Sequence, residues 1–463
     1  MRRPEVRMSE RLVVIGGDAG GMSAAAQARR MRAADDLEIV VFERGSFTSY
    51  AACGLPYLIG GEVAEVDDLV ARTPEAFRAS GIDARTRHEV VAVDTDRRTV
   101  EVVDLDAGTS AAEPYDELLI ATGAVPVRPP LPGIDAAGVF DLRTIPDAIA
   151  LEAALDGARR AVVVGAGYIG VEVAEAFRLR GLEVTVVELA DQPMVTLDAD
   201  MAAGVTEALD RLGVDLRLGQ GVQAFEVDGG GAVTGVLTPD ATLPAEVVVV
   251  ALGARPNAAL AEAAGVPIGP SGGIVVDPRM RTRVPHVWAA GDCVESTHRV
   301  TGRPVNIALG THANKQGRAA GTNLGGGQAT FGGVLGTAIT RVGDVEVART
   351  GLNEREAAAA GFGFVAATNT AGTRAHYYPG SSSATVKLVA ERGTGRLLGG
   401  QIVGGEGAGK RIDVIATALW NEMTVADLGG VDLAYAPPFS PVWDPVLLAA
   451  GRAAAAVVAA GPQ

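Results

Sequence analysis

The chain has 463 residues, of which 48% are hydrophobic and 21% charged, with 60 glycines and a formal net charge of −16. That length exceeds what one hydrophobic core serves, so two or three domains are expected, and the apolar fraction excludes a mainly disordered chain. The acidic balance leaves no basic stripe to neutralise phosphodiester or anionic lipid, which argues against nucleic acid and membrane as partners.

Residues 1–11 are basic but lack the apolar core of a signal peptide, so a short loose tail and no export are expected. Residues 11–15 (RLVVI) read as a buried parallel strand, 16–21 as a Gly-rich turn, 22–32 as an Ala-rich helix and 39–43 as the next strand. The same plan returns at 161–164, 165–170, 171–180 and 184–188, so one βαβ unit occurs twice. Pro-rich connectors at 125–133 and around Arg255 and Pro256 mark crossings between domains. After Gly332 the texture changes: strand-like segments at 337–339, 384–389 and 397–403 precede a helical run at 410–422, which suggests a separate α+β domain. No apolar run is long enough to span a bilayer, and 446–460, interrupted by Arg452, reads as a packed helix.

In the second repeat Gly165, Gly167 and Gly170 complete a G-x-G-x-x-G turn around Tyr168 and Ile169, with Glu188 at the end of the next strand. Such glycines let backbone N–H groups approach a pyrophosphate at a helix N-terminus, and the carboxylate accepts both ribose hydroxyls. Glu188 would repel a 2′-phosphate, which favours NADH over NADPH, although Arg178 or Arg180 could still assist a phosphate. The first repeat has Gly16, Ala19, Gly20, Gly21 and the carboxylate Glu43, but Asp18 stands where the second glycine belongs. An anion beside a pyrophosphate is unfavourable unless its side chain turns away. Residues 119–123 (LIATG) and 287–292 (VWAAGD) each end a strand in a small-residue turn; taken singly, either could be mere turn chemistry.

In this order the segments resemble the pyridine nucleotide-disulfide oxidoreductase superfamily over nearly the whole chain. The resemblance implies an α/β fold with two Rossmann-like dinucleotide-binding domains, for FAD and NAD(P), and a C-terminal α+β dimerisation domain. The expected limits are 9–145 and 276–332 for the two parts of the FAD domain, 146–275 for the NAD(P) domain and 333–463 for the dimerisation domain. Cofactor contacts are implied at Gly16, Ala19, Gly20, Gly21, Glu43, Thr122, Gly123 and Asp292 for FAD. They are implied at Gly165, Gly167, Tyr168, Ile169, Gly170 and Glu188 for the nicotinamide nucleotide, with Gly253 as a further cofactor residue. A homodimer is expected.

Cys53 and Cys293 lie far apart in sequence and read as separate thiols in a reducing, cytoplasmic compartment. Cys53 lies in 49–57 (SYAACGLPY), where Gly54 and Pro56 suggest a tight turn into a helix whose N–H dipoles would lower the thiol pKa. Free cysteine is also commonly a buried inert thiol, which is the reading for Cys293. A paired-thiol member of the superfamily would carry a second cysteine where this chain has Leu58, so the resemblance narrows to the single-cysteine branch, closest to coenzyme A-disulfide reductase. Ala19 stands where peroxidase and oxidase members carry histidine.

Residues 376–380 (HYYPG) and 435–440 (YAPPFS) resemble segments whose tyrosines, here Tyr377 and Tyr435, assist catalysis from the other subunit; without the resemblance both would read as core or interface tyrosines. Ser23, Gln27, Arg30 and Ser49 match substrate-side positions of that enzyme. Ala52 replaces its asparagine, however, and no matching lysine lies near Arg78. Arg30, with Arg29 and Arg32, could hold an anionic adenosine phosphate or simply face solvent. No rhodanese-like segment follows the C-terminal domain, which argues against a fused persulfide-reducing architecture.

The expected activity is NAD(P)H-driven, FAD-dependent reduction of a low-molecular-weight disulfide through Cys53, without a metal. The alternatives are an NAD(P)H oxidase or quinone reductase, and a redox-sensing flavoprotein.

Overall fold

The structure is a computed structural model, and it describes residues 9–461; the basic tail expected at the N-terminus lies largely outside them. Two five-stranded parallel sheets dominate. The first runs Val287–Ala289, Glu117–Ile120, Glu10–Ile15, Leu37–Glu43, Asp83–Thr86. The second runs Asp215–Arg217, Glu183–Val187, Arg160–Val164, Val247–Val250, Val139–Phe140. Parallel strands are covered on both faces and therefore read as unbroken apolar runs. Leu12, Val13 and Val14 in one sheet and Val162, Val248 and Val249 in the other are fully buried, and each such side chain contributes roughly 1.5–3 kcal/mol.

The helices that follow the two Gly-rich turns are Ala19–Met31 and Tyr168–Leu179. Both begin three residues earlier than their apolar periodicity suggests, because the last glycines of each turn already lie in the first helical turn. Ala19–Met31 packs against Gly310–Leu324 at very short range. A Cβ at Gly317 would lie 2.2 Å from the Gly20 carbonyl oxygen, and one at Gly321 would lie 2.3 Å from that of Ala24.

The chain crosses between the two sheets through a small antiparallel pair, Ala124–Pro126 with Ala254–Pro256, so the two Pro-bearing connectors meet each other. Both crossings come earlier than the limits read from sequence. Val139–Phe140 already pairs in the second sheet, whereas Ala258, Ala261, Val266 and Ile274 pack into the core of the first.

The C-terminal region is a five-stranded antiparallel sheet, ordered Ala338–Val342, Val345–Gly351, Leu397–Gly404, Ser383–Glu391, Phe364–Gly372. Helix Ile412–Trp420 and helix Pro445–Ala460 cover it, the latter burying Val446, Ala449, Ala450 and Ala453. Among the described residues, no helix is long and apolar enough to cross a membrane.

Candidate functional site

The two Gly-rich turns are built alike, down to their hydrogen bonds. Gly16 and Gly165 adopt φ of 106° and 104°, where an L side chain is strained, and each lets the chain leave its strand sharply. A Cβ at Gly21 would lie 2.0 Å from the Gly16 carbonyl oxygen, and one at Gly170 would lie 1.9 Å from that of Gly165, so both helices press against their own turns. Glu43 accepts the backbone N–H of Gly17 at 2.7 Å and of Gly45 at 2.7 Å. Glu188 likewise accepts those of Ala166 at 2.8 Å and Ala190 at 2.9 Å. Each carboxylate is thus fixed at the end of the second strand of its βαβ unit, where it can take a ribose hydroxyl.

Neither helix N-cap, Asp18 nor Gly167, makes a side-chain cap bond. The first-turn N–H groups are therefore available to an anion. A Cβ at Gly167 would meet no atom within 4 Å. That open mouth fits a dinucleotide backbone.

The two arginines considered for a 2′-phosphate lie at the other end of strand Glu183–Val187 from Glu188 and are occupied. The Arg178 guanidinium donates to the carbonyls of Leu212, at 2.8 Å, and Leu182, and Arg180 pairs with Glu152 at 3.4 Å. Ile169 is exposed, and Gly253 holds φ 92° at the end of the second sheet while its carbonyl accepts the Val127 N–H at 2.9 Å.

Asp18 turns aside. Its Oδ1 accepts the Tyr50 N–H at 3.2 Å, and the Ser49 N–H donates to the Gly17 carbonyl at 2.9 Å, which sews the cysteine-bearing loop to the first turn. Ser49 sits at φ 48° in that seam. Burial pushes the Asp18 carboxyl up to about 6; the Tyr50 N–H opposes the shift and Glu43 reinforces it.

Cys53 lies in a short 3₁₀ turn, Ala52–Gly54, leading into the helix Leu55–Ile59 with Pro56 in its first turn. It is exposed, as a reacting thiol must be, whereas Cys293 is fully buried. The expectation of a lowered thiol pKa is overturned. Desolvation pushes Cys53 up, the carboxylates of Glu172, Asp292 and Asp18 add to that, and Arg143 is the cation that opposes it. One short helical turn supplies too small a dipole to outweigh three carboxylates.

Two residues around Cys53 escaped the sequence reading. Arg143 pairs with Asp292 Oδ2 at 2.8 Å, and no local signal could have joined residues so far apart. Glu172 lies two residues past the second fingerprint, so its position could have been noticed. Its Oε1 accepts the Thr340 hydroxyl at 2.6 Å, and burial raises its pKa. Next to it Glu175 accepts the Gly343 N–H at 3.0 Å, and Tyr57, Glu62 and Arg341 complete the junction.

Thr122 and Gly123 are tied to Asn257: the Thr122 hydroxyl donates to its carbonyl at 2.6 Å, and the Gly123 carbonyl accepts its N–H at 2.9 Å. The Gly291 N–H, beside Asp292, donates to Gln316 Oε1 at 2.8 Å.

Ser23, Gln27 and Arg30 fall at one-turn spacing along helix Ala19–Met31. Ser23 bonds Asn314 at 2.6 Å, Gln27 bonds Thr322 at 3.1 Å, and Arg30 bonds Gln27 at 3.1 Å, forming a polar strip beside Gly310–Leu324. Tyr377 and Tyr435 are exposed neighbours, and Tyr435 pushes the Tyr377 hydroxyl up. Neither is among the groups that shift Cys53 within the chain.

Residues 10–317 match the family described as pyridine nucleotide-disulphide oxidoreductase, and residues 337–445 match its dimerisation domain. A solved structure of an NAD-dependent persulfide reductase from A. fulgidus is 42% identical, with a TM-score of 0.92, over 95% of this chain and 82% of that one. An NADH oxidase of Methanocaldococcus jannaschii is 37% identical over 95% of this chain and 98% of its own length. A coenzyme A disulfide reductase of Staphylococcus haemolyticus is 31% identical over 93% and 96%.

Proposed function

Because the chain belongs to the pyridine nucleotide-disulphide oxidoreductase family, we propose that this oxidoreductase uses NADH, through FAD, to reduce a low-molecular-weight disulfide or persulfide of the coenzyme A type. The observation that carries the reading is the exposed Cys53, tied to the first dinucleotide turn through Tyr50 and Ser49, with the other cysteine fully buried. A lone accessible thiol suits a substrate that brings its own second sulfur.

FAD, held by the first repeat with Glu43 on its ribose and Thr122, Gly123 and Asp292 along its length, supplies the two-electron chemistry. The second repeat holds NADH through Gly165, Gly167, Gly170 and Glu188. Cys53 as thiolate attacks the substrate disulfide, forming a mixed disulfide and expelling one thiolate. Two electrons then break that bond, releasing the second thiolate and restoring Cys53. Arg143 favours the Cys53 thiolate electrostatically. Tyr435 of the partner subunit, with Tyr377 of the partner subunit, hands a proton to a leaving sulfur. Ser23, Gln27, Arg30 and Ser49 line the approach of the polar thiol carrier. The homodimer forms through the C-terminal sheet domain, and we assign the protein to the cytoplasm, where both thiols stay reduced.

The test is the Cys53→Ser variant. It is expected to retain FAD and accept electrons from NADH while losing turnover of coenzyme A disulfide and persulfide. Full disulfide turnover in that variant overturns the mechanism. Turnover confined to oxygen or quinone in the unmodified protein moves the assignment to the oxidase relatives.

A further inference from the structure

Asp18 occupies a position at which the dinucleotide turn ordinarily has no side chain, and it caps the 13-residue helix Ala19–Met31 with extended backbone. It is largely buried among titratable groups: Glu43 lies on the neighbouring strand end, Tyr50 and Cys53 lie on the active-site loop, and the one cation that acts on it, Arg143, is already paired with Asp292 at 2.8 Å. The surroundings are thus short of positive charge before any ligand enters. A pyrophosphate at the N-terminus of this helix brings two further negative charges. The Tyr50 N–H that Asp18 accepts at 3.2 Å favours the carboxylate, but the carbonyl oxygen of a protonated carboxyl can still accept it.

We propose that Asp18 takes up one proton from solvent when FAD binds, so that a neutral carboxyl, still turned aside onto the Tyr50 N–H, stands beside the pyrophosphate. The inference rests on FAD occupying the first repeat. Without the cofactor the carboxyl titrates at about 6, so near neutral pH it is mainly ionised in the free protein. The nearby phosphates raise it further by like-charge repulsion. The bound state then holds one more proton than the free state, and FAD affinity rises as pH falls and weakens as pH rises toward the bound-state pKa. The departure from the glycine fingerprint becomes a pH-linked cofactor latch, and it leaves the loop before Cys53 fastened in either protonation state.

The experiment measures FAD release from the purified holoenzyme by flavin fluorescence after dilution, between pH 6.5 and 8.5, for the unmodified protein and for Asp18→Asn and Asp18→Gly. The unmodified protein is expected to lose affinity by up to about tenfold per pH unit, as one linked proton requires. Both variants are expected to bind FAD with that slope removed, and circular dichroism checks that they are folded. Parallel pH profiles in the unmodified protein and a folded variant, or a flat profile in the unmodified protein, overturn the inference while leaving the FAD assignment intact. A purified protein that holds no FAD and takes up none overturns both.

Discussion

Thr340 donates its hydroxyl to Glu172 Oε1 at 2.6 Å, joining the first strand of the C-terminal sheet to the helix that follows the second dinucleotide turn. After burial, Glu172 is the leading charge that raises Cys53, and the Thr340 hydroxyl favours its ionised form, so the C-terminal domain contributes to the electrostatics of the thiol. Neutralising that carboxylate in Glu172→Gln removes a like charge, and the Cys53 alkylation midpoint is expected to move down. Iodoacetamide alkylation rates measured against pH provide the check; identical midpoints would remove Glu172 from this role.

Thr340→Val leaves a buried carboxylate without its donor and is expected to cost about 1–3 kcal/mol of stability. Thr340→Ser restores the donor and should recover most of that loss. Urea unfolding monitored by circular dichroism distinguishes the two, and equal destabilisation by both variants would attribute the effect to lost packing.

On the proposed reading, Glu188 sets nucleotide choice. Arg178 donates to main-chain carbonyls and Arg180 pairs with Glu152, while Arg217, whose carbonyl accepts the Glu188 N–H, is paired with Asp215 at 2.9 Å. The unmodified enzyme is expected to prefer NADH over NADPH by about tenfold or more in kcat/KM, and Glu188→Gln is expected to shrink that ratio mainly by weakening NADH. Steady-state kinetics with both nucleotides decide it, and an NADPH preference in the unmodified enzyme would contradict the assignment.

Two glycines of the second turn separate folding from binding. A Cβ at Gly170 collides with its own turn, whereas one at Gly167 points into open space. Gly170→Ala is expected to lower stability by about 1–3 kcal/mol. Gly167→Ala should leave the melting temperature unchanged yet raise the KM for NADH. Loss of stability in Gly167→Ala would mean that its open space is not the nucleotide's approach.

Lys387 is the buried cation of a clasp between domains, bonded to Asp200 at 2.7 Å, Glu354 at 2.5 Å and Asp198 at 3.2 Å. Burial alone would lower its pKa, but the three carboxylates together push it up to about 12. The stabilisation is therefore fully present below the ordinary lysine value and lost as pH rises through about 12. Lys387→Met strands the buried Asp198 carboxylate, while Asp200 and Glu354 remain partly in solvent, and is expected to cost about 1–3 kcal/mol at neutral pH. Thermal unfolding at pH 7 and pH 11 should show the gap between variant and unmodified protein beginning to narrow at the higher pH.

What the sequence revealed and what it concealed divide along contact range. Both glycine turns, with Glu43 and Glu188, were legible because a βαβ unit writes its strand, turn, helix and carboxylate within about thirty residues. The C-terminal domain was visible as a change in periodicity. The Arg143–Asp292 and Thr340–Glu172 bonds were not, because each joins segments more than a hundred residues apart whose local patterns carry no mark of the other. Two subtler points also lay beyond the residue pattern. One is the direction of the Asp18 side chain, which depends on where the Tyr50 N–H is delivered. The other is the rise in the Cys53 pKa, since flanking Gly54 and Pro56 say nothing about carboxylates arriving from distant elements.

The close seam between Ala19–Met31 and Gly310–Leu324 has a consequence for how the molecule is made. Its two sides are separated by 291 residues where Ser23 meets Asn314, and strand Val287–Ala289, which completes the first sheet, is also made well after the first turn. The inserted second sheet can close on itself first, while the earliest-made dinucleotide fold waits, unfinished, for its last helix. Cofactor capture is thereby placed after the second sheet: a truncated chain ending before Gly310 lacks the surface that seals its own first site, and flavin loading reports that translation passed Leu324.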